Sequence, residues 1–247
     1  MTQISQGDSG RYTDEDIDNK ARDLVRFFLA TSSRKLPIKR QEIMEKVMKD
    51  MSRAFNITLE KARVTMKNTF GLDIVPLEQP NKTFCVVNLL ELESTDPHLT
   101  WGDTDNQHAA LLMIILSIIL MAGDVIGDDD LWKALKHLGL DYEKPDNEVF
   151  GDVKKLVTQE FVQQGYIVYS KLPETDPAKY EFKWGTRAQL LTTKDDVLSF
   201  VCQIYDQMEM FEWPIQYDAI HGEGAAAAAK AAYPSASQSQ ESSMETD

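Results

Sequence analysis

Cysteine is scarce in this sequence: Cys85 and Cys202 are far apart and each sits among apolar neighbours. Neither a disulfide framework nor a paired-thiolate metal site can be built from them, and a reducing compartment is the natural setting. Histidine is nearly as rare, and His98, His108, His137 and His221 show no metal-ligand spacing. Glycine-rich phosphate loops and the GxSxG nucleophile turn are absent. Asp103-Thr104-Asp105 lacks the later Gly and Glu of a calcium loop, and Asp128-Asp129-Asp130 reads more simply as the N-terminal cap of a helix around Leu131. With no catalytic constellation, the expectation is a protein that is not an enzyme and uses no cofactor and no metal.

The beginning of the chain, Met1-Thr2-Gln3-Ile4, is polar and has no apolar core of the kind a secretory signal carries. One long apolar run exists, from Ala109 to Ala122, closed by His108 and by Gly123-Asp124. It falls short of the roughly 17 to 25 residues of a spanning helix, so burial by protein on every side, with no membrane, is the expectation. Positive charge is also in deficit, with a net charge of −14. The exception is Arg34 to Lys67, where ten Lys or Arg stand against four acids. That stretch is either a local basic face or the solvated side of two amphipathic helices.

What is present is one order of elements, written twice. Thr13 with Asp16 resembles a capping box, and Ile17, Ala21, Leu24, Val25, Phe28 and Leu29 follow at helical spacing up to Pro37. A second helix is expected from Arg40 and a third from about Thr58, ended by Gly71. Two β-prone runs, 72–77 and 83–87, flank the turn Gln79-Pro80-Asn81-Lys82. The order then repeats with the apolar helix, a helix behind Asp128, and a helix over 150–164 followed by Gly165. Strands at 167–172 and 180–184 come next, then a closing helix from Thr193 to about Met208. Three helices and a hairpin is the winged-helix order, so the expected fold is mostly α with small β-hairpins, in tandem winged-helix domains. The expected boundaries are a disordered 1–12, a first domain over 13–92, a linker over 93–106, a second domain over 107–217 and a disordered tail over 218–247.

The second half carries Gly151-Asp152-Val153-Lys154-Lys155-Leu156-Val157-Thr158, Phe161-Val162-Gln163, Asp176-Pro177, Tyr180-Glu181-Phe182 and Trp184-Gly185-Thr186-Arg187-Ala188. The first half carries Leu24-Val25-Arg26-Phe27 and Lys35-Leu36-Pro37-Ile38-Lys39-Arg40. Together these resemble the MAGE (melanoma-antigen) homology domain over about Thr13 to Tyr217, and among its members the ancestral type found in a chromosome-maintenance DNA-repair complex. The resemblance implies tandem winged helices and a non-enzymatic, nuclear scaffold, with a cytoplasmic pool also open. It also implies a RING-type ubiquitin or SUMO ligase that the scaffold binds and stimulates, and a kleisin-like subunit as a second partner. The family's paired leucines fall on Phe28 and Leu29, which are then partner-binding, although the same two residues continue the apolar stripe of the first helix. Leu111, Leu112 and Ile115 on the apolar helix are expected in a partner groove, with the first domain covering the rest of that helix. Weak, non-specific DNA contact is expected at Lys154, Lys155, Lys183 and Arg187. The family's usual Trp-Gly-Pro-Arg reads Trp184-Gly185-Thr186-Arg187 here, losing the fixed proline. A winged-helix transcription regulator remains the alternative, disfavoured because few side chains suited to base edges lie on the third helices.

Overall fold

The computed structural model describes residues 12–77, 83–89, 102–144, 147–205 and 208–233. The first helix, α1 (Asp14–Ser32), starts where the sequence places it. Thr13 Oγ1 accepts from the Asp16 N–H at 3.1 Å, and the Asp16 carboxylate accepts from the Thr13 N–H at 3.0 Å. Two otherwise unpaired helix donors are thereby satisfied. Strand β1 (Ile38–Lys39) leads into α2 (Arg40–Lys46), and α3 (Phe55–Thr65) continues through one wider π turn, Met66–Phe70. Gly71, at φ 63, stops it in the left-handed conformation that glycine adopts without a Cβ clash. Strands β2 (Leu72–Pro76) and β3 (Thr83–Asn88) pair antiparallel, and β1 joins the far edge of β3. The resulting sheet has the order β1-β3-β2. The expected hairpin turn at 79–82, the N-terminal 1–11 and most of the expected linker lie outside the described residues.

The second half repeats the pattern. Helix α4 (Asp103–Met121), strand β4 (Val125–Gly127) and helix α5 (Asp128–His137) are followed by a continuous helix. That helix is made of α6 (Val153–Lys155), a π turn (Leu156–Glu160) and α7 (Phe161–Gln163). Strands β5 (Ile167–Lys171) and β6 (Tyr180–Trp184) complete a second antiparallel sheet of order β4-β6-β5. Four more helices follow: α8 (Thr186–Leu191), α9 (Lys194–Ile204), α10 (Pro214–His221) and α11 (Ala225–Ala232). The chain is thus mostly helical with two small antiparallel sheets.

Each half has its own core. Leu24, Phe28, Ile43, Met48 and Phe55 gather on Phe84 in the first, and Leu111, Ile115, Leu131, Phe161 and Leu198 surround Phe182 in the second. Phe28 meets Phe84 edge-on at 6.4 Å and Trp132 meets Phe182 edge-on at 6.0 Å. Such T-shaped pairs add about 0.5 to 1.5 kcal/mol each beyond area burial. Both thiols are buried, Cys85 on β3 and Cys202 on α9.

Two expectations fail against the structure. The tail from 218 is not structureless over 218–233: α10 completes there and α11 follows, with Ala226 buried and its N–H donated to Asp218 at 2.7 Å. An alanine run resembles low-complexity sequence, but alanine is also the best helix former. Among the described residues, the apolar side chains of helix α4 are not covered by the first half either. Helix α4 packs on α5, α9 and the strands of its own sheet, while Met210, Trp213, Tyr217 and Ile220 close over the same core. Gln216 donates to the Met121 carbonyl at 2.9 Å, tying α10 to the end of α4. The second half contains more helix than a minimal three-helix unit, and that surplus buries what the first half was expected to bury. By length and composition α4 could cross a membrane, but Leu111, Ile115 and Ile119 on it are wholly enclosed by protein.

Asp73 is the most deeply placed carboxylate among the described residues of the first half. It accepts from Arg63 at 2.6 and 2.9 Å and pairs with Lys67 at 2.9 Å. Burial pushes its carboxyl up, but the bonds from the two cations outweigh that and hold it below its ordinary range. The folded pKa therefore lies under the unfolded one. The stabilisation is complete above the unfolded value, about pH 4, and is lost as pH falls through the folded value. Asp73→Asn is expected to cost about 1 to 2 kcal/mol at pH 7, given that Arg63 is about one third exposed. It should also flatten the fall in stability on acidification, which thermal melts between pH 7 and pH 2 will show.

Candidate partner and nucleic-acid surfaces

The helical stripe that begins at Ile17 places Phe28 wholly inside the first core, whereas Leu29 lies at its edge, half-buried. A surface role for the pair therefore reduces to Leu29, because a residue without accessible area cannot touch a partner. The same correction applies on α4. Leu111 and Ile115 are fully buried, and Leu112 is the member of that trio with accessible surface.

The four cations expected to meet DNA fall into three situations. Lys154 and Lys155 are exposed on the first turn of the α6 helix, started by Asp152, which caps the Lys155 N–H at 2.8 Å. Lys154 lies 5.6 Å from the Tyr142 ring, and neither lysine has an acid partner among the described residues. Lys183 is half-exposed and its ammonium is held by Glu181 at 2.6 Å. Arg187 is buried, its guanidinium donating to the Lys35 and Gln164 carbonyls and lying over the Tyr166 ring at 4.8 Å. It is a joint between the two halves, and DNA cannot reach it. No signal near Arg187 in the sequence points to Lys35, which is 152 positions away.

The corresponding helix of the first half is electrically quiet. Lys61 pairs with Asp18 at 2.7 Å, while Arg63 and Lys67 share Asp73. The basic excess of 34–67 is to that extent neutralised by acids from α1 and β2.

The motif Trp184-Gly185-Thr186-Arg187 builds the joint. Trp184 Nε1 donates to the Leu116 carbonyl at 3.0 Å, anchoring β6 to α4. Gly185 N–H donates to the Tyr166 carbonyl at 2.7 Å, and a Cβ on Gly185 would stand 2.2 Å from the Gly165 carbonyl oxygen. No side chain fits there. Thr186 opens α8, so its N–H needs no helical partner. Across the joint, Lys35 takes a left-handed conformation at φ 57 and its ammonium meets Asp105 at 2.5 Å.

Beside this joint a cleft of about 540 Å³ separates the halves. Leu36, Pro37 and Leu77 line it from the first half, Val162 and Val168 from the second, with Lys39 among them. Tyr169 borders it with its ring turned inward, stacked on Phe182 at 4.5 Å, and its hydroxyl donates to Asp128 at 3.2 Å. Burial first, and the Asp128 carboxylate next, push the Tyr169 phenol up to about 12. Tyr169 thus stays neutral and serves as a fixed wall. The arrangement is an apolar trough with a cation, Lys39, at its edge.

Comparison with known proteins gives a consistent result. The family model of the MAGE homology domain matches residues 24–194. The human protein called Non-structural maintenance of chromosomes element 3 homolog is 36% identical over 208 residues, which is 84% of this chain and 67% of that relative. Human Melanoma-associated antigen D2 is 34% identical over 203 residues, 81% of this chain and 32% of that protein. Among solved structures, a chain of the "Nse1-Nse3-Nse4 complex" superposes with a TM-score of 0.78 at 33% identity, covering 85% of this chain and 99% of its own.

Proposed function

The chain belongs to the MAGE homology domain family, and from that premise we propose that it is a non-enzymatic scaffold of a nuclear chromosome-maintenance complex acting in DNA repair. In this reading the two halves are tandem winged helices. They hold and stimulate a RING-type ubiquitin or SUMO ligase subunit and also bind a kleisin-like subunit. The observation that carries the proposal is the joint likeness, in sequence and in three dimensions, to a chromosome-maintenance element and to a chain of a three-component complex. The geometry supports it: the halves meet at a small polar joint and leave an apolar cleft open beside it, while Leu29 and Leu112 offer further apolar surface on separate helices. Affinity purification from native cells tests it. Co-recovery of a RING subunit and a kleisin-like subunit at comparable amounts is expected; recovery of the chain alone, or with transcription machinery, overturns it.

A second, weaker activity in the same proposal is sequence-independent DNA contact through Lys154 and Lys155. At a net charge of −14 the whole molecule repels a polyanion, so binding must come from this local site. Replacing both lysines with Ala is expected to lower the slope of log K against log salt by roughly 1.8, about 0.9 for each phosphate no longer neutralised. Titrations on unrelated duplex sequences at several salt concentrations check it, and an unaltered slope rules the site out.

A further inference from the structure

The second sheet ends on a strand whose main chain is open. In the order β4-β6-β5, β5 is the longer of the two outer strands. Gly185 N–H donates to Tyr166 O at one end, and Leu172 N–H donates to Lys179 O at the other. With the register that pairs Tyr169 with Phe182, these bonds fix the alternation. Positions 166, 168, 170 and 172 bond toward β6, and Ile167, Tyr169 and Lys171 turn their N–H and C=O groups away from it. None of those six groups has a partner among the described residues.

This open edge borders the cleft. Ile167 and Tyr169 both line it, yet the Ile167 side chain is buried and the Tyr169 ring is stacked inward between its neighbours. What those two residues present to the cleft is therefore largely main chain. Exposed strand edges are commonly protected by proline or by a covering element. One outer strand of the first sheet, β2, follows that habit, carrying Pro76. Strand β5 carries no proline and faces a trough walled by Leu36, Pro37, Leu77 and Val162.

We infer that β5 is completed by an added strand: an extended partner segment, apolar at alternate residues, with carboxylates toward its ends. Main-chain bonds to Ile167, Tyr169 and Lys171 would supply the registration, and the apolar side chains would rest on the trough walls. The carboxylates follow from charge. Lys171 stands at one end of the open edge and Lys39 lines the trough, both exposed and neither with an acid partner among the described residues. The inference rests on the cleft being a partner site, as proposed above, and specifies the conformation and chemistry of the occupant.

The test uses the full chain and a synthetic nonapeptide of alternating Val and Thr with Glu at both ends. Two N-methylated isomers accompany it, one blocked at the amides of odd positions and one at the even. Amide hydrogen exchange followed by NMR should show the Ile167, Tyr169 and Lys171 amides slowed by about tenfold or more, while Val168 and Ser170, already bonded to β6, change little. One methylated isomer should bind and the other should not, because alternate amides of an added strand face β5. Lys171→Pro, which removes one outward N–H at the strand end, should weaken binding more than Lys171→Ala. Equal binding by both isomers, an absence of protection at the three amides, or protection that appears with protein concentration alone and so marks a second copy, each overturns the inference. If strand addition fails while the ligase and kleisin-like subunits still copurify, the scaffold reading stands and the mode of binding falls. The converse result separates them the other way.

Discussion

Truncating Phe28 to Ala is expected to lower the unfolding free energy by about 3 to 5 kcal/mol, the usual cost of emptying an aromatic site in a closed core. Phe28 is fully buried against Phe84, with Phe27 edge-on at 6.1 Å, so little can collapse into the void. Leu29→Ala, at the core's rim, should cost less than about 2 kcal/mol. Ligase binding should follow the opposite ranking once both proteins are confirmed folded, with the Leu29 variant losing affinity at nearly native stability. Urea unfolding paired with calorimetric titration against the RING subunit checks both halves of the statement. An affinity loss confined to the Phe28 variant would identify the pair as structural.

The second large effect is expected at Arg187. Its guanidinium donates to carbonyls of both halves, Lys35 and Gln164, from a nearly enclosed position over Tyr166. Arg187→Ala strands those acceptors and removes the packing of the side-chain stem, a loss of about 2 to 3 kcal/mol. Because the residue joins two cores, the loss should appear as a weakened link between them, with melts that become broader or biphasic. DNA affinity and its salt slope should not change, which separates a joint from a phosphate contact. A clear drop in DNA binding with unchanged melting would reverse that assignment.

These two residues also show how far the sequence can be read. The period that begins at Ile17 and runs through Ala21, Leu24 and Val25 takes in both Phe28 and Leu29, and only the structure separates the first, in the core, from the second, at its rim. The capping box at Thr13, the helix stop at Gly71 and both hairpins are legible because each is decided by residues within a few positions of one another. Strands β1 and β4, with two and three residues, are too short to show an alternation and exist because β3 and β6 offer them an edge. Arg187 is the opposite case. Its residue type suggests phosphate, but the acceptors that claim it come from distant turns, and local pattern holds no trace of them. The enclosure of α4 is hidden for another reason: Met210, Trp213 and Tyr217, which close over its core, follow the last helix expected from the sequence and carry no period that ties them to α4.

The alternation of β3 places Phe84 and Cys85 on opposite faces of the first sheet. Phe84 points into the first core, so the Cys85 face is the one that α8 of the second half covers, close enough for the Arg187 charge to act on the thiol. Burial pushes the Cys85 thiol up, and the same is true of Cys202 within the second core. Neither reacts readily while covered. The molecule thus carries two native chemical reporters in different places, one beside the joint and one inside the second core. Alkylation of Cys85 measures how often the halves part, and alkylation of Cys202 measures how often the second core opens. Comparing the two rates with those of the unfolded chain sets the opening of the joint against the opening of the second core, in a chain with no label added.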